Sequence, residues 1–324
     1  MKRLICIAIL WFSTVAHANS SFMGNDGYRL WMQYDLLSQD SLSQQYTATL
    51  SNISLRSQSD TAAIIRQELI LASNGLLAIT PSFGDAKAKL VISTHSQLTK
   101  DEAWLLPKLK DVNKEGFVIV AQNGVVYLSA HTDIGLLYGS YHLIRLMQTK
   151  QALTNLNISQ SPKVALRMLN HWDDLDRHTE RGYAGESIFD WHKLPEYKEQ
   201  RYYDYARANA SLGINGIVPI NVNSDALVLT PQYLEKVKAL ADIFRPYGIK
   251  VYLSLKFSAP AQLSGLANSD PLNKDVQRWW QQKSDEIYRL IPDFGGYLVK
   301  ANSEGQPGPG DYGRSHADGA NMLA

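Results

Sequence analysis

Cysteine is nearly absent from these 324 residues: the single one, Cys6, lies inside an apolar run at the very start. One thiol cannot form an intramolecular disulfide, and Cys-ligated zinc and paired-thiol redox chemistry are excluded with it. An excess of either charge is missing too. Lys plus Arg number 32 against 31 Asp plus Glu, so no net field draws in nucleic acid, and no nucleic-acid partner is expected. The eight histidines include no His-x-x-x-His pair, which leaves zinc hydrolysis without its ligands. No Gly-x-Ser-x-Gly elbow serves a serine nucleophile, no Gly-x-Gly-x-x-Gly follows the first strand of the βα array, and no Walker glycine run appears. No cofactor and no metal is expected.

What is present begins with an export signal. Residues 1–18 combine basic Lys2 and Arg3, an apolar run from Leu4 to Val15, and Ala16-His17-Ala18 as a small-x-small cleavage site. A membrane anchor would need about 18 or more apolar residues and a polar flank. Cleavage before Asn19 leaves 324 − 18 = 306 residues with no membrane span, carrying 30 basic against 31 acidic groups once Lys2 and Arg3 are gone. The mature chain is expected in the periplasm or outside the cell, without any thiol. With 45% hydrophobic and 19% charged residues it has the composition of a packed globular protein.

Two rhythms divide the remainder. In residues 19–160, Tyr28 to Tyr34 alternates like a strand, Thr61 to Ala72 has helical spacing, and Lys89 to Ser93 is strand-like. Glu115 to Val120 and Val125 to Ser129 flank Asn123-Gly124, a hairpin turn signal, and a helix capped at Thr132 or Asp133 runs to Gln148. This predicts an α+β domain with helices on one face of a sheet. After the polar stretch Thr154 to Pro162, residues 161–324 carry strand-like segments at Ala165 to Asn170, Ile214 to Ile220, Lys250 to Leu255 and Gly296 to Val299. Helices are expected from Glu196 to Ser211, Pro231 to Phe244 and Lys274 to Leu290. Repeated βα units of this spacing predict the first half of a TIM (β/α)8 barrel, since eight units need about 250 residues. We therefore expect an incomplete catalytic domain.

In βα arrays chemistry collects where strands end. The first strand is followed by His171, Trp172, Asp173, Asp174 and Asp176; the second by Asn221, Val222 and Asn223; the third by Lys256 and Phe257. The fourth is followed by Lys300, Asn302, Ser303 and Glu304 and a Gly/Pro-rich loop. Indole, amide, ammonium and carboxylate groups on one rim suit a polyhydroxy ligand. Glu304 is the sharpest candidate, against the reading of a solvated rim residue. Lys300, four residues earlier, suits an anionic substrate group unless it simply pairs with a carboxylate. The Asp173, Asp174 and Asp176 cluster lacks the glycine and terminal Glu of an EF-hand loop. Trp279-Trp280 reads as helix packing.

The blocks His171-Trp172-Asp173-Asp174-Leu175-Asp176, Glu180-Arg181-Gly182-Tyr183-Ala184-Gly185 and Lys300-Ala301-Asn302-Ser303-Glu304-Gly305-Gln306-Pro307-Gly308-Pro309 strongly resemble the α-glucuronidases of glycoside hydrolase family 67. Tyr312-Gly313-Arg314, His316 to Asn321 and the opening Gly27 to Trp31 share that resemblance. It implies an enzyme that removes 4-O-methylglucuronic acid, α-1,2-linked to the terminal xylose of glucuronoxylan-derived oligosaccharides, with inversion and without metal. It implies Glu304 as general acid, Lys300 on the uronate carboxylate, Trp172 on the sugar ring and Val222 near the methylated side. Arg177-His178 and Ser315 depart mildly from the family's pattern. The family's general base, its further uronate-binding Arg and Lys, and its helical dimerisation domain all come further along the chain than these motifs. We therefore expect negligible turnover from these 324 residues alone, and a homodimer only where that domain is present. Two alternatives stand beside this reading. A hexosaminidase-like glycosidase would need Asp-Glu where the chain has Ser303-Glu304; a non-catalytic oligosaccharide-binding fragment would keep the rim without the base.

Overall fold

Helix and strand formation here follows apolar periodicity punctuated by turn and cap residues, in a computed structural model that describes residues 26–223, 225–300, 302, 305 and 307–324. The predicted export signal and Cys6 lie outside the described residues, as does Glu304. Residues 26–33 belong to one unit and Tyr34 to Ala324 to another. In the first, the expected strand from Tyr28 is instead a 3-10 turn over Leu30–Met32, with Leu30 at φ 52°. Alternation alone does not make a strand where no neighbouring chain pairs with it.

The second unit holds two sheets. The first contains β1 (Asn52–Leu55), β2 (Ser82–Phe83), β3 (Leu90–Thr94), β4 (Phe117–Gln122), β5 (Val125–Ala130) and β6 (Asn157–Gln160), in the order β2-β1-β3-β5-β4-β6. β2, β1, β3 and β5 run parallel, while β4 is antiparallel to both β5 and β6. The sheet is therefore mixed, with an α/β character in its parallel part that the α+β expectation missed. Asn123 and Gly124 turn the β4–β5 hairpin at φ 52° and 71°, the two left-handed positions of a type I′ turn.

Helices α1 (Ser41–Leu50), α2 (Asp60–Leu77) and α4 (Asp133–Gln148) accompany this sheet. Thr132 caps α4 by accepting from the Gly135 N–H at 3.2 Å. Gly139 of α4 lies against Phe117 and Leu128, which fixes the face that α4 covers. The opposite face is also covered. There Val118 and Val120 pack against Leu105 and Leu109, the latter in the short helix α3 (Leu106–Leu109), with Trp104 edge-on to Tyr127 at 5.4 Å. Strand alternation sends Phe117 and Val118 to opposite sides, so both faces bury apolar area.

The second sheet has β7 (Met168–Asn170), β8 (Gly216–Val218), β9 (Lys250–Lys256) and β10 (Gly296–Lys300), all parallel, in the order β10-β9-β8-β7. Helices α5 (Gln200–Ser211), α6 (Pro231–Phe244), α7 (Ala259–Ser264), α8 (Lys274–Leu290) and α9 (His316–Leu323) complete it. Val251, Leu253 and Leu255 are buried on the α6 side of β9, and Tyr297 of β10 hydrogen-bonds Ser284 of α8 at 2.9 Å. The even-numbered residues of β9 and β10 therefore share the helix-free face.

A polar seam joins the two sheets. Arg207 of α5 makes two hydrogen bonds to Glu68 of α2, at 2.6 and 2.7 Å, with Glu68 only 2% exposed. Tyr34 donates to the same carboxylate at 2.5 Å, and burial followed by the Glu68 charge pushes that phenol far above its ordinary range. Arg167 pairs with Glu115 at 2.6 Å, and Asn215 donates to Glu115 at 3.0 Å.

Candidate active site

The site is built at the carboxyl ends of β7 to β10. Trp172, two residues past β7, is 47% exposed, while its carbonyl is engaged twice. The Trp172 carbonyl accepts from the Glu180 N–H at 2.7 Å and from the Asn221 side-chain amide at 3.3 Å. The Asn221 N–H donates to the Asp173 carbonyl at 2.7 Å, and the Asn223 N–H donates to Asn221 Oδ1 at 3.0 Å. Lys300 Nζ then donates to Asn223 Oδ1. A buried asparagine thus ties the loop bearing the indole to the loop bearing Val222, and through Asn223 to the ammonium on β10.

Beneath Trp172 the polar groups are structural. Asp173 is buried and accepts from Ser187 Oγ at 2.5 Å, while His171 Nε2 contacts the Tyr205 hydroxyl at 2.7 Å. Burial, then the Asp173 charge, raises the Tyr205 phenol well above its ordinary range. Asp174 is also pushed up, by burial first and then by the neighbouring charges of Asp176, Glu180 and Asp173. Arg177, at φ 76°, binds Glu186 at 3.1 Å and Asp190 at 3.2 Å, closing the loop after β7 on itself.

The loop after β10 returns to β9. Gly319 sits where a Cβ would lie 2.6 Å from Pro309 and 3.1 Å from the Phe257 ring, so only glycine allows this approach. Arg314 grips Asp270 through two bonds, at 2.9 and 3.0 Å, and Asp311 accepts from Gly308 N–H at 2.7 Å and from Asn302 at 3.1 Å. These bonds tie Asn302 and Gly308 to Asp311 and fasten Arg314 to the segment before α8. Among the described residues no group of three or more His, Cys, Asp or Glu is placed to hold a metal ion. A groove of about 850 Å³ lies elsewhere, between α8, β10 and α9, lined by Trp280, Tyr297 and Val299 rather than by Lys300.

Of the four residues singled out from sequence, Trp172 and Lys300 are joined by this hydrogen-bonded line. Val222 lies between its two asparagines, half-buried. Asn221 was read from sequence only as one of the rim amides, not as the residue that joins two loops, and Tyr205 received no role. Their partners lie 34 to 49 residues away along the chain, and the available signal was the position of Asn221 at a strand end.

Comparison with known proteins gives a consistent result. Residues 30–143 match the glycosyl hydrolase family 67 N-terminus, and residues 146–324 match the glycosyl hydrolase family 67 middle domain. An Aspergillus oryzae protein named "Probable alpha-glucuronidase A" is 33% identical over 332 aligned residues, covering 100% of this chain and 38% of its own length. The Hypocrea jecorina "Alpha-glucuronidase" is 40% identical over 241 residues, covering 72% of this chain and 28% of its own. The chain thus spans well under half the length of these curated relatives. Among solved structures, a family GH115 4-O-methyl-α-glucuronidase with specificity for decorated arabinogalactans aligns at TM-score 0.54 and 14% identity, over 84% of this chain and 38% of that one. A Streptomyces plicatus β-hexosaminidase aligns at TM-score 0.52 and 13% identity, over 85% and 60%. At such identities the two structures share a fold with this chain and nothing more.

Proposed function

The chain belongs to glycosyl hydrolase family 67, and from that premise we propose that it serves α-glucuronidase chemistry in xylan degradation. The substrate is a xylo-oligosaccharide bearing (4-O-methyl)-glucuronic acid α-1,2-linked to xylose. The observation that carries this reading is the hydrogen-bonded line from Trp172 through Asn221 and Asn223 to Lys300, which sets an indole and an ammonium on one rim. The indole stacks on the sugar ring, the ammonium pairs with the uronate carboxylate, and Val222 packs against the methylated side. Glu304 is the general acid that protonates the departing xylose oxygen, while a base about 6.5 to 9.5 Å away activates water for inversion. The four βα units are the first half of a (β/α)8 barrel. Residues 19–160 precede them as a separate domain, a boundary supported by the pairing of β6 with β4. Residues 1–18 act as an export signal, which directs the protein to the periplasm or the medium.

The test measures binding and turnover together on methylglucuronosyl xylotriose. Preferential binding over unsubstituted xylotriose is expected, and its absence overturns the reading. Binding without turnover in any form of the protein would favour the non-catalytic oligosaccharide-binding alternative. Where turnover is measured, Glu304→Gln should abolish most of it on the xylosyl substrate. It should spare much more on a glucuronide with a good leaving group, because proton donation then matters less. Equal losses on both would remove Glu304 from the acid role.

A further inference from the structure

Lys300 has a cationic neighbour on the next strand. In the parallel β9–β10 pair the register places Lys300 directly beside Lys256. Paired residues on adjacent strands project to the same side, about 4.8 Å apart at the backbone. That side is the helix-free one, since Leu253 and Leu255 are buried on the opposite side of β9 and Tyr297 of β10 reaches back to α8. Two ammonium groups therefore stand together at the carboxyl ends of two strands, where like charges in register cost stability. The Lys256 side chain is half-buried, and among the described residues no hydrogen bond or ion pair engages its ammonium. Ser254, one step below on the same strand face, is fully buried with a hydroxyl that has no partner. Its register partner on β10 is Leu298, so one unsatisfied hydroxyl and one apolar side chain lie beneath the two lysines.

We infer that Lys256 is a second cationic contact of the subsite that takes the substrate's carboxylate, a specificity-determining residue beside Lys300. The inference rests on the glucuronide reading of the site. It accounts for the in-register lysine pair, because an arriving carboxylate relieves the repulsion and shares its two oxygens between two donors. It also assigns the division of labour: Asn223 orients Lys300, while Lys256, unbound by neighbours, closes on the anion when it arrives.

Calorimetric titration with methyl α-D-glucuronide and with the neutral methyl α-D-glucoside tests this. The wild-type protein should prefer the charged ligand. Lys256→Met, which keeps the apolar stem, should lose about ten- to hundredfold in affinity for the glucuronide and leave the glucoside unchanged. Lys256→Arg should restore most of the preference, which a purely structural role for Lys256 would not produce. Lys256→Gln is read alongside, so that a folding defect in the Met variant does not decide the matter. If Met and Gln variants both retain wild-type discrimination, Lys256 is not in the subsite, although the glucuronide reading survives. If the wild-type protein shows no preference for the charged ligand, both fall together.

Discussion

Strands β3 and β4 of the first sheet and β7 and β10 of the second are put to opposite uses. All five residues of β3 are buried, and so are the first four of β4, because α4 covers one face and the α3 segment the other. In β7 and β10 no residue is fully buried. A strand packed on both faces has every side chain committed to its neighbours, so its sequence records packing alone. A strand whose far face carries no helix can present side chains near its carboxyl end, and here that end carries Lys256, Lys300 and, just beyond β7, Trp172.

The seam between them offers the strongest way to break this comparison. Arg207→Ala would leave the Glu68 carboxylate, 2% exposed, without its cation. Removing one partner of a buried pair costs about 3 to 5 kcal/mol, because an uncompensated charge remains inside. Urea unfolding should show a loss of that order. A change below about 1 kcal/mol, within the range of an exposed pair, would mean that the two sheets are not held through this contact.

At the rim the cost should move from stability to recognition. Lys300→Ala should narrow the preference for glucuronide over the neutral α-glucoside by about 1.5 to 3 kcal/mol, the worth of a charge-assisted hydrogen bond. Comparing the two affinities in wild type and variant checks this. Unchanged discrimination would make Lys300 a structural partner of Asn223. Trp172→Ala should go further in separating the two roles. With the indole 47% exposed, unfolding free energy should stay within about 0.5 kcal/mol, while affinity for the xylo-oligosaccharide falls on the order of tenfold. A large stability loss with intact binding would reverse the assignment.

The same contrast explains what the sequence disclosed. The expected helix ranges Pro231 to Phe244 and Lys274 to Leu290 coincide with α6 and α8, and the four second-sheet strands fall within their expected segments apart from one added residue at the carboxyl end of β9, Lys256, and of β10, Lys300. Local apolar runs and caps determine those elements, so local reading finds them. Strand β6 was read as part of a polar boundary, because Asn157 to Gln160 has little apolar content and owes its conformation to pairing with β4. Helix α1, with Thr47, Thr49 and several serines and glutamines, carries a weak apolar stripe and was likewise missed. For the site, Trp172 and Lys300 stand at strand ends and are legible. Asn221 is not, since its role depends on a loop some fifty residues away.

The smallest effect concerns the exposed counterpart of the Glu68–Arg207 pair. Asp270 and Arg314 hold the loop after β10 against the segment between α7 and α8, with side chains 19% and 36% exposed. The Arg314 bonds hold the Asp270 carboxyl below its ordinary value of 3.8, aided by the Leu272 N–H and opposed by burial. A depressed folded-state value means that the unfolded chain binds the proton more readily. The stabilisation is therefore present above pH 3.8 and fades as pH falls through the lower folded value. Asp270→Asn should lower the melting temperature slightly at neutral pH, and the two melting curves should converge under acid. Because the pair is exposed, added salt should shrink the difference as well. Parallel melting profiles for wild type and variant from neutral pH down into the acid range would show that this contact does not stabilise the rim, leaving the Phe257–Gly319–Pro309 packing to hold the loop alone.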